Sequence, residues 1–244
     1  MSLKKVSIII PVLNEAETIE EVVCRIERLA LQLEVELVII DDGSTDGSTE
    51  IIGKLCQNER RLGIFLSSTS GKGSAVARGI EASTGDIILI HDADLEYDQT
   101  DIPKLIEPIL KGETRFVLGS RTLGAGSYIL DRGPENARDA ALLNVGSLFL
   151  NCLFYGLYGK FLTDPQSMYK IFERRCLDGI CLQSTRFDLD WELVCKFVRR
   201  GYLPLEIPVT YRGRSVKDGK KLRIWSDGCR ALWAIFRYRF SKSF

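Results

Sequence analysis

The sequence predicts an α/β domain: a Rossmann-like, mostly parallel sheet flanked by helices, followed by a C-terminal amphipathic helix. Three observations carry this expectation. Short continuous apolar runs recur through the first half of the 244 residues, segments of helical period lie between them, and acidic punctuation follows three of the runs. Strands that alternate with crossover helices form parallel sheets, and such sheets bind ligands at the carboxyl ends of their strands.

The elements follow in order. Val6–Ile10 is unbroken and apolar, as a strand covered on both faces must be, and it stops at Pro11. Ile19, Val22, Val23, Ile26, Leu29, Ala30 and Leu33 then repeat at helical spacing. Val35–Ile40 is the second run and ends at Asp41-Asp42-Gly43-Ser44; Ser44 and Asp46 can cap a helix carrying Ile51, Ile52, Leu55 and Cys56. Leu62–Leu66 reads as a short strand and Gly71–Ser83 as a glycine-bounded helix. Asp86–Ile90 is a fourth strand, ending at His91-Asp92-Ala93-Asp94. Ile102, Leu105, Ile106, Ile109 and Leu110 mark a helix, and Arg115–Gly119 a strand. The second half is less regular, with a helix near 137–162, a strand at Met168–Phe172, a helix over 188–200 and a strand near 203–211.

Composition narrows the function. Lys plus Arg and Asp plus Glu are 33 each, so the net charge is zero, which disfavours a globally basic nucleic-acid binder. The zero hides a division. Residues 211–244 hold ten Lys or Arg against Asp218 and Asp227, a local +8, so residues 1–210 carry −8. Residues 1–210 are accordingly expected to form the catalytic domain, and 211–244 a basic amphipathic segment that is not an independent domain. Seven cysteines include no CxxC, and the one histidine, His91, cannot complete a zinc set; they are expected to be reduced core residues of a cytoplasmic protein. Met1–Lys5 runs straight into a strand, so no signal peptide is expected. Ala140–Leu162 is apolar but interrupted by Asn144, Gly146, Ser147, Asn151, Gly156, Gly159 and Lys160, and is expected to be a buried or interfacial helix rather than a membrane span.

Two constellations suggest chemistry and a third limits it. Asp92 and Asp94 are two residues apart in an extended segment, so they face one side and repel unless a cation joins them. Mg²⁺ and Mn²⁺ are held in this way, by one or two carboxylates plus substrate phosphates. The run Asp41–Ser48 can accept hydrogen bonds from a base or ribose, besides capping a helix. Gly71-Lys72-Gly73-Ser74 resembles part of a phosphate loop, but no glycine has the spacing of a full one, and no GxGxxG follows the first strand. An NTPase and a dinucleotide dehydrogenase are thereby disfavoured.

Taken together, Pro11-Val12-Leu13-Asn14-Glu15, Asp41–Asp46, Gly71-Lys72-Gly73 and Asp92-Ala93-Asp94 resemble the family 2 glycosyltransferases of the GT-A fold. Gly119-Ser120-Arg121, Asp164–Lys170, Phe187–Glu192, Arg199–Tyr202 and Glu206–Val209 look like the polyprenyl-phosphate hexose synthases, which act on dolichyl or bacterial polyprenyl phosphates. Met168 and Ser70 depart from the pattern, standing where relatives often carry Gly and Asn. The resemblance implies that Pro11, Leu13, Glu15, Ile40, Asp42, Lys72, Asp92 and Ala93 bind the nucleotide sugar. It implies that Asp92, Asp94 and Glu96 serve Mg²⁺ or Mn²⁺, and that Arg121, with Arg132 or Arg138, meets the acceptor phosphate.

The reaction so implied is inverting, metal-dependent transfer of a hexose from GDP-mannose or UDP-glucose to a polyprenyl or dolichyl phosphate. A lipid monophosphate is already ionised and needs little help from a base, whereas a hydroxyl acceptor needs one. The candidates are Asp164, preferred, and Asp188 or Asp190. The alternatives are a soluble transferase acting on a glycan or small hydroxylated acceptor, and a non-catalytic nucleotide-sugar binding subunit. Leu222, Trp225, Cys229, Leu232, Trp233, Phe236 and Phe240 form an apolar stripe at helical spacing, flanked by Arg223, Arg230, Arg237, Arg239 and Lys242. Such a helix suits an anionic membrane surface, or packs on the core or a second subunit. Expected partners are the donor, the lipid acceptor, the cytoplasmic face of a membrane, and a homodimer mate or membrane-anchor subunit; no nucleic acid is expected.

Overall fold

A computed structural model describes residues 4–128, 130, 137–214 and 224–241. Four strands, β1 (Lys5–Val12), β2 (Glu34–Asp41), β3 (Arg61–Phe65) and β4 (Ile87–Ile90), run parallel in the order β3-β2-β1-β4. Val6, Ile8, Ile9 and Ile10 of β1 have no exposed surface, as an unbroken apolar strand covered on both faces requires. The crossovers are α1 (Ile19–Glu27), α2 (Ser48–Leu55) and α3 (Lys72–Ala82). In α1, Ile19, Val22, Val23 and Ile26 bury one stripe while Glu20 and Glu21 sit in the first turn.

Beyond β4 the topology changes. After α4 (Ile102–Leu110) come β5 (Phe116–Ser120), the short α5 (Arg121–Ala125) and the long α6 (Ala137–Tyr158). Next is β6 (Lys170–Glu173), which enters the sheet antiparallel between β4 and β5. After α7 (Leu189–Arg199), β7 (Leu205–Pro208) pairs parallel with β5, completing the order β3-β2-β1-β4-β6-β5-β7. One reversed strand in seven leaves the sheet mostly parallel, as expected.

The helices of the second half form a separate layer. α7 is central, with Trp191, Leu193, Val194, Cys195 and Phe197 buried, and α8 (Ile224–Phe240) and α6 pack against it and each other. α6 touches the body through Leu150, Asn151 and Phe154, while Val145, Leu148, Phe149 and Tyr155 are exposed. Over Ala140–Tyr158 it is long and apolar enough to cross a membrane, by length and composition alone, and only 17% of that window is buried. The burial expected as one option is therefore not found, because only one narrow stripe of this apolar helix meets protein. α8 has two apolar faces. Ala231, Ala234, Ile235 and Tyr238 pack inward, while Trp225, Trp233, Phe236 and Phe240 of the expected stripe stay exposed. The same outward phase exposes Cys229; Cys152 on α6 and Cys181 are also exposed, so only Cys176 and Cys195 are fully buried core cysteines.

A polar clasp joins the amino ends of the central strands. The Glu36 carboxylate accepts hydrogen bonds from the Ser7 hydroxyl (2.5 Å) and from the backbone and hydroxyl of Thr84 (2.8 Å each), with the Lys5 ammonium 3.2 Å away. Burial opposes ionisation of Glu36, but these donors outweigh it and bring its pKa from 4.5 down to about 2. A carboxyl whose pKa falls on folding stabilises the fold above its unfolded value and loses that contribution as pH drops towards the folded value. Glu36→Gln is expected to lower Tm at pH 7 and to flatten the loss of stability between pH 4.5 and 2. An unchanged acid limb in denaturant titrations at several pH values contradicts this assignment.

Candidate active site

The carboxyl ends of β1, β2 and β4 open into a cavity of about 680 Å³. Its rim is built first by the loop after β1. Asn14 takes a left-handed conformation (φ 51°), which asparagine tolerates. Its N–H donates to the Ser44 hydroxyl (2.9 Å), and its side-chain oxygen accepts from Thr45 N–H (2.8 Å). Glu15 N–H donates to Ser48 and Ala16 N–H to Asp46. Asp42 accepts from the backbone and hydroxyl of Ser70 (2.7 and 2.8 Å) and from Gly71 N–H (2.9 Å). Much of the acidic run after β2 thus shapes loops.

The Gly71-Lys72-Gly73 turn is forced by packing. A Cβ on Gly71, where φ is +97°, would lie 2.3 Å from the Thr185 carbonyl oxygen, and one on Gly73 would lie 2.4 Å from that of Ser184. This close approach aims Lys72 into the cavity. Its ammonium meets Asp92 at 2.5 Å and lies 5.3 Å from the centre of the Phe187 ring. Burial disfavours both charges, but the pair restores them: Lys72 stays protonated and Asp92 is held below its ordinary pKa.

Asp94 differs. Burial, reinforced by Asp92 and Glu96, pushes its pKa up to about 7, against the pull of Arg214. Oδ1 of Asp94 accepts from Glu96 N–H (3.0 Å), and Oδ2 accepts from Arg214 Nη2 (2.7 Å). Arg214 also donates to both Glu15 oxygens (2.8 and 3.1 Å), and Glu96 receives its backbone N–H (2.7 Å) and the Tyr211 hydroxyl (2.8 Å). Among the described residues no three His, Cys, Asp or Glu side chains converge as a metal cage. Hard carboxylate oxygens in a place that already draws in a cation nevertheless fit Mg²⁺ or Mn²⁺, which use one or two carboxylates and complete their shell with phosphate oxygens. Asp92, Asp94 and Glu96 are the carboxylates of this region that could hold such an ion.

On the far side, Arg121 opens α5. Its backbone N–H and Nε donate to Asp164 Oδ2 (2.9 and 2.7 Å), and its Nη2 donates to Oδ1 (2.8 Å). Glu206 on β7 accepts from the backbones of Thr163 (2.9 Å) and Asp164 (3.0 Å), fixing the loop that carries the carboxylate. Arg121 also lies 5.1 Å from the Tyr211 ring centre. Lys170, fully buried on β6, donates to Asp190 at 2.6 Å, and Asp190 faces the cavity. The same cavity is lined by Leu142, Leu143, Gly146, Ser147 and Leu150 of α6, by Met168, and by Asp227, Gly228 and Ala231 of α8, where Asp227 pairs with Arg186 at 3.2 Å.

Pro11, Leu13, Glu15, Asp42, Lys72, Asp92, Ala93, Asp94, Glu96 and Arg121 therefore all line one cavity. Ile40 is not among the lining residues: it is fully buried where β2 meets Gly79 of α3, so its expected base contact is not supported by side-chain placement. Asp164 sits behind Arg121 rather than on the wall. Arg132 lies outside the described residues, as does the side chain of Arg138, whose backbone belongs to α6. In the sequence Arg214 is only one charge of a basic segment, and Lys170 only the end of the Asp164–Lys170 segment, with no pattern that gives either a partner.

Asp164 and Arg121 are nearly buried, with side-chain exposures of 5% and 11%. Removing one partner strands the other charge, which costs about 3–5 kcal/mol. Asp164→Ala is expected to lose stability of that order in urea unfolding at pH 7; a loss under about 1 kcal/mol contradicts a tightly held pair.

Comparison with known proteins now gives this cavity a context. Residues 7–172 match the model of the family described as "Glycosyl transferase family 2". The chain is 29% identical over 220 residues to a dolichol-phosphate mannosyltransferase of Pyrococcus furiosus, covering 89% of this chain and 60% of the relative. It is 29% identical over 221 residues to an undecaprenyl-phosphate 4-deoxy-4-formamido-L-arabinose transferase of Klebsiella pneumoniae, covering 89% and 62%. It thus spans about three-fifths of the length of these curated relatives. Among solved structures, glucosyl-3-phosphoglycerate synthase of Mycobacterium tuberculosis with UDP superposes with a TM-score of 0.73 at 21% identity, over 97% of this chain and 80% of that one. The same enzyme with Mn²⁺, UDP-glucose and phosphoglyceric acid gives 0.70 at 20% identity, over 97% and 80%. With the family model covering more than half its length, and with the sheet order and acidic strand ends described above, this chain belongs to glycosyl transferase family 2 and has the GT-A fold.

Proposed function

We propose that the chain transfers a hexose, with inversion, from GDP-mannose or UDP-glucose to a polyprenyl monophosphate at a membrane surface. The observation that carries this reading is the mixed lining of one cavity: acidic and basic groups at the strand ends and, in the same space, apolar residues of α6 with Met168 and Ala231. A phosphate joined to a hydrocarbon chain matches that mixture, and the names of the two curated relatives support the acceptor class.

Pro11, Leu13, Glu15 and Asp42 border the nucleotide end of the cavity, and Lys72 and Arg121 bring positive charge to the phosphates. A bound Mg²⁺ or Mn²⁺ would neutralise charge on the departing diphosphate. An oxygen of the acceptor phosphate forms the new bond to the anomeric carbon. The old carbon–oxygen bond breaks, and its electron pair leaves on the nucleoside diphosphate. Arg121 is held in place by Asp164, so its charge needs no reorganisation during the step. The carboxylates considered as bases are engaged: Asp164 by Arg121, Asp188 by Arg186 N–H, and Asp190 by Lys170. An ionised phosphate nucleophile does without a base, which favours the lipid phosphate over a hydroxyl.

The outer surface of α6 and α8 supports membrane association. Trp225, Trp233 and Phe240 of α8 are 77%, 66% and 69% exposed, as are the α6 residues Val145 and Phe149 at 66% and 59%, with exposed Arg230 and Arg237 on α8. Aromatic side chains next to arginines suit an anionic interface.

The test is transfer from each donor, with Mg²⁺, to a short polyprenyl phosphate. Product from one donor is expected; no product from either by folded protein, or transfer only to 3-phosphoglycerate, overturns the reading. Asp94→Ala is expected to lower turnover by about 100-fold or more with the fold intact. Arg121→Ala should reduce kcat by a similar factor and nucleotide affinity far less. Equal losses in both would make Arg121 a ground-state contact.

A further inference from the structure

Arg214 stands out among the charged groups of the cavity. It lies beyond β7, yet its guanidinium reaches Glu15 after β1 and Asp94 after β4, and its backbone reaches Glu96. We propose that Arg214 is a resident counter-ion of the acidic strand ends, which a divalent cation must displace to reach Asp94. The proposal rests on the reading that Asp94 holds such a cation.

Two features of the geometry carry it. Each oxygen of Asp94 already holds a donor: Oδ1 the Glu96 backbone N–H, and Oδ2 the Arg214 guanidinium. A second cation arriving at Oδ2 therefore meets the guanidinium there, and two positive charges on one oxygen repel. The hold is also incomplete. Arg121 places both Nε and Nη2 on Asp164. Arg214 leaves a buried Nε without a hydrogen-bond partner, 3.6 Å from Glu96, too long for a hydrogen bond. A buried donor with no acceptor costs free energy that a shift of the guanidinium can recover. In its place it keeps Glu15, Asp94 and Glu96 from repelling one another, so the acidic ends of β1 and β4 stay together before any ligand arrives.

The test is Mn²⁺ binding to the full chain without nucleotide, read from the electron paramagnetic resonance signal of free Mn²⁺. Arg214→Ala is expected to bind Mn²⁺ roughly tenfold more tightly or better, the scale of one lost charge-assisted hydrogen bond. Arg212→Ala, which removes the same charge from an exposed position two residues away, is expected to change affinity less than about twofold, as screened surface charges do. Millimolar guanidinium chloride should weaken Mn²⁺ binding by Arg214→Ala, relative to equal sodium chloride, and leave the unmodified chain unaffected. Should Arg214→Ala fail to fold, Arg214→Lys, with one nitrogen for three carboxylates, is expected to bind more tightly than the unmodified chain. No gain in the folded variant, or an equal gain in Arg212→Ala, overturns the proposal while leaving the metal reading standing. Absence of Mn²⁺ binding in every variant, even with UDP or GDP added, overturns both.

Discussion

Carboxylates gathered at the carboxyl ends of parallel strands repel one another, and the rest of the site is arranged around that repulsion. Asp42, Asp92, Asp94, Glu15 and Glu96 share one cavity. Three kinds of device answer them: N–H and O–H donors for Asp42 and Glu96, an ammonium for Asp92, and one guanidinium shared by Glu15 and Asp94. The balance is uneven. Asp92 is held ionised by Lys72, whereas burial pushes Asp94 up to about 7. Two carboxylates two residues apart are thereby given different tasks by their surroundings.

Besides Lys72 and the Ser70–Gly71 backbone, the scaffold that sustains this charge comes from outside the parallel core. β6 inserts antiparallel and supplies Lys170; β7 supplies Glu206, which fixes the loop carrying Asp164 and so Arg121; the segment after β7 supplies Arg214. α6 and α8 then add mostly apolar lining, interrupted by Ser147 and Asp227, and leave further apolar surface exposed outside. The acidic strand ends thus depend on the strand–helix repeat, and the rest of the cavity lining on the irregular second half.

This division explains what the sequence makes legible. Val6–Ile10 and Ile87–Ile90 read as strands because both faces are buried, and Asp92 and Asp94 read as a site because local spacing alone places them together. The direction of β6 does not register in a run of apolar residues. The partnership of Arg214 with Glu15 spans 199 positions and has no local pattern. The inward face of α8 is built partly on Ala231 and Ala234, whose small side chains give a weak apolar signal, so the stripe marked by Trp225 and Trp233 is the one that faces outward. Ile40 shows the converse: a residue at the end of β2 whose side chain alternates into the core against α3, a direction that its place at a strand end does not reveal.

On the proposed reading, a divalent cation and a nucleoside diphosphate share the acidic strand ends, each completing the other's site. Calorimetric titration of UDP and GDP, with and without saturating Mn²⁺, tests it most directly. Binding coupled through shared contacts is expected to be at least about tenfold tighter with the ion for one of the two nucleotides, with the same factor recovered when Mn²⁺ is titrated in the presence of that nucleotide. Identical nucleotide affinities with and without Mn²⁺ would contradict the account.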